Sequence, residues 1–164
     1  MPPLAGLGRR SIFASMQTIA WPVAATRFLA LRLSPGADLR ASLQDAFATQ
    51  PERAGFLAAA VGSLSHARLR PAGQDDPHDV AGDLEIVSLS GTFSADGPHL
   101  HLAVADADGQ MTGGHLLDGS VVRTTAEVVI ALADGVRFAR TLDPATGYAE
   151  LDLGSAAASD QKNA

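Results

Sequence analysis

The chain has no cysteine, a single lysine and few aromatic residues, with six Phe, one Trp and one Tyr among 164 residues. The lack of cysteine excludes disulfides, thiolate zinc sites and cysteine nucleophiles, so any metal must be held by nitrogen and oxygen. The lone lysine, Lys162, lies in the C-terminal tail, and 12 Lys plus Arg against 18 Asp plus Glu leave a net charge of −6. Surfaces that bind duplex DNA normally carry a basic excess that neutralises phosphates. None is present, so DNA is a disfavoured partner; the arginines best placed to touch it are Arg68 and Arg70, two residues apart on one strand face. No apolar run approaches the roughly 20 residues that span a bilayer, so no membrane partner is expected and the chain is expected to be cytoplasmic. Glycine-rich phosphate loops are also missing, since Gly6 and Gly8 lack the βαβ setting that such a loop needs. Ser63 and Ser90 lack the surroundings of a serine nucleophile. With no catalytic motif recognisable, the sequence leans against an enzyme.

What is present suits one globular domain, because 46% hydrophobic and 18% charged residues supply a sizeable core at this length. The expected division is an irregular N-terminal extension over 1–24, a single domain over 25–153 and a flexible tail over 154–164. Arg9 and Arg10 have the pairing of an export signal, but Gln17, Thr18, Trp21 and Pro22 interrupt its apolar core. An irregular extension, or a start at Met16, fits better. Leu29, Leu31 and Leu33 mark a first strand, ended by Ser34-Pro35-Gly36. Asp38 then caps an amphipathic helix, with Leu39, Leu43, Ala46 and Phe47 at helical spacing up to Pro51. Residues 56–61 are predicted as a second strand ending at Gly62-Ser63, residues 64–69 as a third, and 71–82 as a loop.

The second half is punctuated by four Asp-Gly dipeptides, at Asp96, Asp108, Asp118 and Asp134. Asp-Gly between apolar runs signals a hairpin, because glycine adopts the positive φ of the turn without steric cost. The pattern predicts an α+β domain in which an antiparallel meander packs against one main helix. A meander with a single helix leaves one sheet face, containing Leu89, Val128 and Ile130, that needs a second cover.

Arg32-Leu33-Ser34-Pro35-Gly36-Ala37-Asp38-Leu39, Gly62-Ser63-Leu64-Ser65 and Glu85-Ile86-Val87-Ser88-Leu89-Ser90-Gly91-Thr92-Phe93 occur in that order. They are followed by Gly113-Gly114-His115-Leu116-Leu117 and Thr124-Thr125-Ala126-Glu127-Val128-Val129. Over about 27–142 these segments resemble the plants-and-prokaryotes-conserved (PPC) domain. The resemblance implies a small α+β domain that forms a homotrimer. In plants the domain follows AT-hook motifs in nuclear DNA-binding proteins, so bacterial members often carry a DNA-binding label. This chain has no Arg-Gly-Arg-Pro hook, and the resemblance implies a fold and an assembly more firmly than an activity.

Chemistry concentrates in three of the five histidines, His99, His101 and His115, which fall within one predicted hairpin. His99 and His101 are spaced i, i+2, so on a strand both imidazoles leave the same face. Whether His115 joins them depends on register. A two-residue turn at Asp108-Gly109 places His115 opposite Leu102, on the wrong face. A three-residue loop, with Gly109 in the left-handed position, pairs Asp106 with Gln110 and sets His115 across from His101. The second register is favoured. It lets three imidazoles converge on a divalent ion, most plausibly zinc, with positions left open for water or another ligand. Gly113 and Gly114 remove side chains beside that point, so a bound ligand or another backbone can approach closely. Outward histidines alternating with inward Leu100, Leu102 and Val104 need no metal, and that plainer reading stands beside the first. His66 and His78 are expected to be surface residues, and Asp106 and Asp108 turn residues.

Glu127 is the other candidate, since a carboxylate in so apolar a strand is costly unless paired. Its expected partner is Arg123 or Arg68. Alternatively it orients a ligating histidine, or acts as a general base on metal-bound water. Three functions follow from these residues: a metal-binding homotrimeric domain, a DNA-binding or transcription-associated protein, and a metal-dependent enzyme with Glu127 as base.

Overall fold

The computed structural model describes residues 17–156. Arg9, Arg10, Met16 and residues 157–164 of the expected tail lie outside them. A short 3-10 turn at Val23–Ala25 leads into β1 (Thr26–Leu33), α1 (Leu39–Ala48), β2 (Gly55–Arg70), β3 (His78–Ser94) and β4 (Gly97–Ala105). There follow β5 (Met111–Leu116), β6 (Val121–Ala133), β7 (Val136–Leu142) and β8 (Ala149–Ser155). The main sheet has six strands in the order β1-β6-β2-β3-β4-β5, and β7 and β8 form a separate two-stranded sheet. Every ladder between these strands is antiparallel. With one helix against mostly antiparallel sheet, the chain has the α+β composition that its sequence predicts.

The helix forms where its signals lie. Asp38 has extended backbone and its carboxylate accepts from the Ala41 N–H at 2.9 Å, satisfying one of the unpaired donors of the first turn. The other oxygen of that carboxylate accepts from the Gly119 N–H, tying the helix start to the segment between β5 and β6. Leu39, Leu43 and Phe47 are buried on one helix face, and Phe47 stacks on Phe93 of β3 with ring centroids 5.3 Å apart. Leu100, Leu102 and Val104 of β4 point into the same core, as period-two alternation requires.

The topology departs from a simple meander. Strands β2 to β5 run in meander order, but the end of β2 also pairs with β5, Leu69 with Leu116 and Arg70 with His115, so these four strands close on themselves. The chain then crosses over and inserts β6 between β1 and β2. Only two of the four Asp-Gly dipeptides, at Asp96 and Asp108, join strands that pair with each other. Asp118-Gly119 belongs to the crossover, pinned by Ser120, whose buried hydroxyl accepts from the Arg68 N–H at 3.0 Å. Asp134-Gly135 leads out of the main sheet into β7. Residues 56–61 and 64–69 form one 16-residue strand, since Gly62-Ser63 is a register shift in a continuing ladder and not a turn. The expected loop ends early, with β3 starting at His78, and β8 runs to Ser155.

The helix and the strand closure also change what is exposed. Leu89, Val128 and Ile130 retain only 8%, 1% and 0% of their accessible surface, so the face expected to need a second cover is already buried within the chain. The opposite face of β1, β6 and β2 is exposed and largely apolar: Phe28 is 63% exposed and Val61 58%, with Ala30, Ala59 and Val129 between them and Arg32 and Glu127 beside Val61. Thr124 Oγ1 lies 2.6 Å from Ser63 Oγ, as a satisfied strand hydroxyl should. Thr125 Oγ1 is buried with no partner among the described residues.

Leu102, 2% exposed beside outward-facing His101, measures what this core contributes. Leu102→Ala is expected to lower unfolding free energy by about 2–5 kcal/mol in urea denaturation, through lost transfer energy and an unfilled cavity.

Candidate metal centre

The β4–β5 connection is the three-residue loop. Asp106 N–H donates to the Gln110 carbonyl at 3.0 Å, the Gly109 N–H donates back to the Asp106 carbonyl at 3.0 Å, and Gly109 has φ of 77°. The Asp106 carboxylate shapes the loop by accepting from the Asp108 N–H at 3.0 Å and the Gln110 N–H at 2.8 Å, the turn role its sequence position predicts. The ladder that follows pairs Ala105 with Met111 and His101 with His115. In an antiparallel pair, directly opposed residues share a face. His99, two residues along β4, therefore joins them.

The three donor atoms all lie within 4.8 Å of one another, and the ring centroids are 4.9 to 5.7 Å apart. His101 is exposed and the other two are partly buried. Burial, the neighbouring imidazoles and the Arg70 and Arg40 guanidiniums push the pKa of His115 down to about 4. His99 is also lowered, first by burial, then by Arg140, His101 and Arg70, with Glu150 pulling the other way. Both rings are thus held neutral at pH 7, the form that ligates metal.

The remaining sequence candidates fall elsewhere. Glu127 is exposed on β6, opposite Arg32 of β1 and Val61 of β2, and is not part of the three-histidine group. Its expected partners are engaged with other acids: Arg123 donates to Asp83 at 2.8 Å, and Arg68 approaches Asp79 at 3.9 Å. A side chain at Gly114 would meet the Arg70 carbonyl oxygen at 2.6 Å, and one at Gly113 the Leu102 carbonyl oxygen at 2.9 Å. The close approach that these glycines permit is therefore made by strand backbone, and Gly114 is what lets β5 close on β2. His66 bonds Asp79 at 2.8 Å on β2, and His78 is exposed at the start of β3, both away from the group.

Arg140 escapes sequence reasoning altogether. It lies on β7, 39 residues beyond His101, and reaches back to the main sheet: its guanidinium donates to Thr92 Oγ1 at 3.2 Å and its backbone N–H to the Asp96 carboxylate at 2.8 Å. No local spacing signals that contact.

Comparison with known proteins agrees with this architecture. The chain is 50% identical over 132 residues to the bifunctional protein GlmU of two Synechococcus strains, and the match covers 80% of this chain but only 21% of those proteins. The chain thus spans about a fifth of the length of these relatives. A hypothetical protein from Salmonella enterica of solved structure is 41% identical, with a TM-score of 0.78 over 80% of this chain and 96% of that one. A metal-containing protein from Archaeoglobus fulgidus is 26% identical, with a TM-score of 0.71 over 84% of this chain and 99% of that one. Among the described residues no helix is long and apolar enough to cross a membrane. The Plants and Prokaryotes Conserved (PCC) domain matches residues 22–134, which hold the whole six-stranded sheet and all three clustered histidines, and the chain belongs to that family.

Proposed function

We propose that this chain is a divalent-metal-binding domain that holds zinc, with His99, His101 and His115 as its ligands, and that it acts as a homotrimer. The observation that carries the reading is the convergence of three imidazoles on one sheet face with donor atoms within 4.8 Å. A tetrahedral ion about 2.0–2.1 Å from each nitrogen requires donors roughly 3.3 Å apart. Side-chain rotation on a fixed ladder can close that difference. Lowered pKa values at His99 and His115 favour the same reading, because protons compete less with a metal for these nitrogens. The metal in the similar Archaeoglobus protein is consistent with it. Three nitrogen ligands leave room for at least one further ligand.

Self-association is supported by the exposed apolar face around Phe28 and Val61, for which a second copy of the chain is the proposed cover. Three copies follow from the family resemblance. The net charge of −6 argues against duplex DNA as the main partner.

Elemental analysis of the purified protein should find close to one zinc per chain, and X-ray absorption should place nitrogen at about 2.0–2.1 Å from it. His101→Ala should reduce the metal to background while shifting the stability of the metal-free fold by no more than about 0.5 kcal/mol, as for an exposed position. Protein that takes up no zinc from micromolar solution would overturn the proposal.

The pH response follows from the shifts. In metal-free protein the His115 ring should titrate near pH 4 by NMR. The unfolded chain, with an ordinary histidine pKa, binds that proton near 6.5, so from pH 6.5 down to about 4 unfolding takes up a proton and stability falls. His115→Asn should flatten that part of the profile in urea denaturation.

For assembly, light scattering is expected to give three times the chain mass. The variant carrying both Phe28→Asp and Val61→Asp should give the monomer, while a wild-type monomer at micromolar concentration would dispose of the trimer.

A further inference from the structure

Two cationic side chains flank the histidine group from different strands. Arg70 is the ladder partner of His115, so the two share a face, and it has no side-chain hydrogen bond or ion pair among the described residues. Arg140 approaches from the other side. Its guanidinium bonds Thr92, the ladder partner of His99. Arg40, the third nearby arginine, is already paired with Asp118 at 2.7 Å. Of the opposing charges, Glu150 of β8 acts on both His99 and Arg140, while Asp96 is occupied with the Arg140 backbone.

Building on the metal reading above, we infer that Arg70 and Arg140 make this an anion-binding metal site, in which a small carboxylate occupies the open position on the ion and is gripped by the two guanidiniums. A dication held by three neutral imidazoles keeps its full charge, and two guanidiniums beside it add more of the same sign. Glu150 offsets only part of this excess. An anion relieves this excess, and a carboxylate supplies one oxygen for the metal and another for a guanidinium. The Glu150 carboxylate sets the limit in the other direction. Its repulsion grows with the charge of the bound anion, so it weighs more against inorganic phosphate than against a monoanionic head.

The test uses the full-length protein loaded with cobalt(II), whose visible absorption bands respond to a change of ligand. Sodium acetate and sodium phosphate are the probes. Acetate is expected to shift the cobalt bands saturably and to bind more tightly than phosphate. Arg70→Gln and Arg140→Gln should each weaken acetate at least tenfold, about 1.4 kcal/mol and the low end for one lost charge-assisted hydrogen bond. Cobalt affinity in these variants should hold or tighten, because a repelling charge is gone. Retained cobalt bands show that a variant is folded, and Arg140→Lys should recover part of the acetate affinity. Cobalt bands that do not respond to acetate, or that respond equally in the double Gln variant, overturn the anion site and leave the metal site standing. Tighter phosphate binding overturns the carboxylate preference. Protein that develops no cobalt bands overturns both.

Discussion

The loop between β4 and β5 decides which face of the sheet His115 occupies. One residue fewer would move every β5 side chain to the opposite face, because side chains alternate with a period of two. The Asp106 carboxylate guards against that slip by accepting two backbone N–H groups inside the loop, and Gly109 supplies the left-handed residue that closes it. The same register delivers Gly114 to the end of β2, where the absence of a side chain lets the Arg70 backbone approach. A single loop therefore fixes the third histidine and, through strand closure, the arginine beside it.

That placement creates an electrostatic conflict in the metal-free protein. Burial and the guanidiniums keep His115 and His99 neutral, which suits them to ligate, yet those guanidiniums repel a cation. Bonds from these nitrogens to the proposed metal would be opposed by that like charge, most strongly at the partly buried His99 and His115, where the effective dielectric is lower than in water. Metal affinity and anion affinity at such a site are reciprocal, since whatever one ligand gains from the other it must return.

Features governed by local chemistry were legible in the sequence. Asp38 caps its helix through a side chain three residues from its partner, and the inward Leu100, Leu102 and Val104 follow from strand alternation alone. The histidine cluster was legible for the same reason, because i, i+2 spacing and one short loop determine it. What failed depended on distant pairing. Asp118-Gly119 has the same residues as Asp108-Gly109, but it precedes a crossover, because β6 finds its partners in β1 and β2 and not in β5. Gly62-Ser63 has the composition of a turn and serves as a register shift, because β6 and β3 pair with β2 on both sides of it. Leu89, Val128 and Ile130 were rightly assigned to an apolar face. Their cover comes from within the chain, which alternation cannot reveal.

Arg140 and Glu150 stand apart from the rest of the site in where they come from. Both belong to the β7–β8 sheet, beyond Asp134, where the family match ends, whereas the three histidines and Arg70 lie inside it. The sheet is seated by a small core of its own, formed by Ala54, Ala133, Val136 and Phe138, with Trp21 edge-on to Phe138 at 6.3 Å. It is further anchored by the Asp96 carboxylate on the Arg140 N–H. Ligand geometry and the charge around it are thus set by different parts of the chain. The hairpin register fixes where the imidazoles meet, and the packing of β7 on the β3–β4 turn fixes how positive their surroundings are. A substitution that shifts β7 would move Arg140 and so change the electrostatics at His99, and with it the charge preferred in a ligand of the proposed metal site.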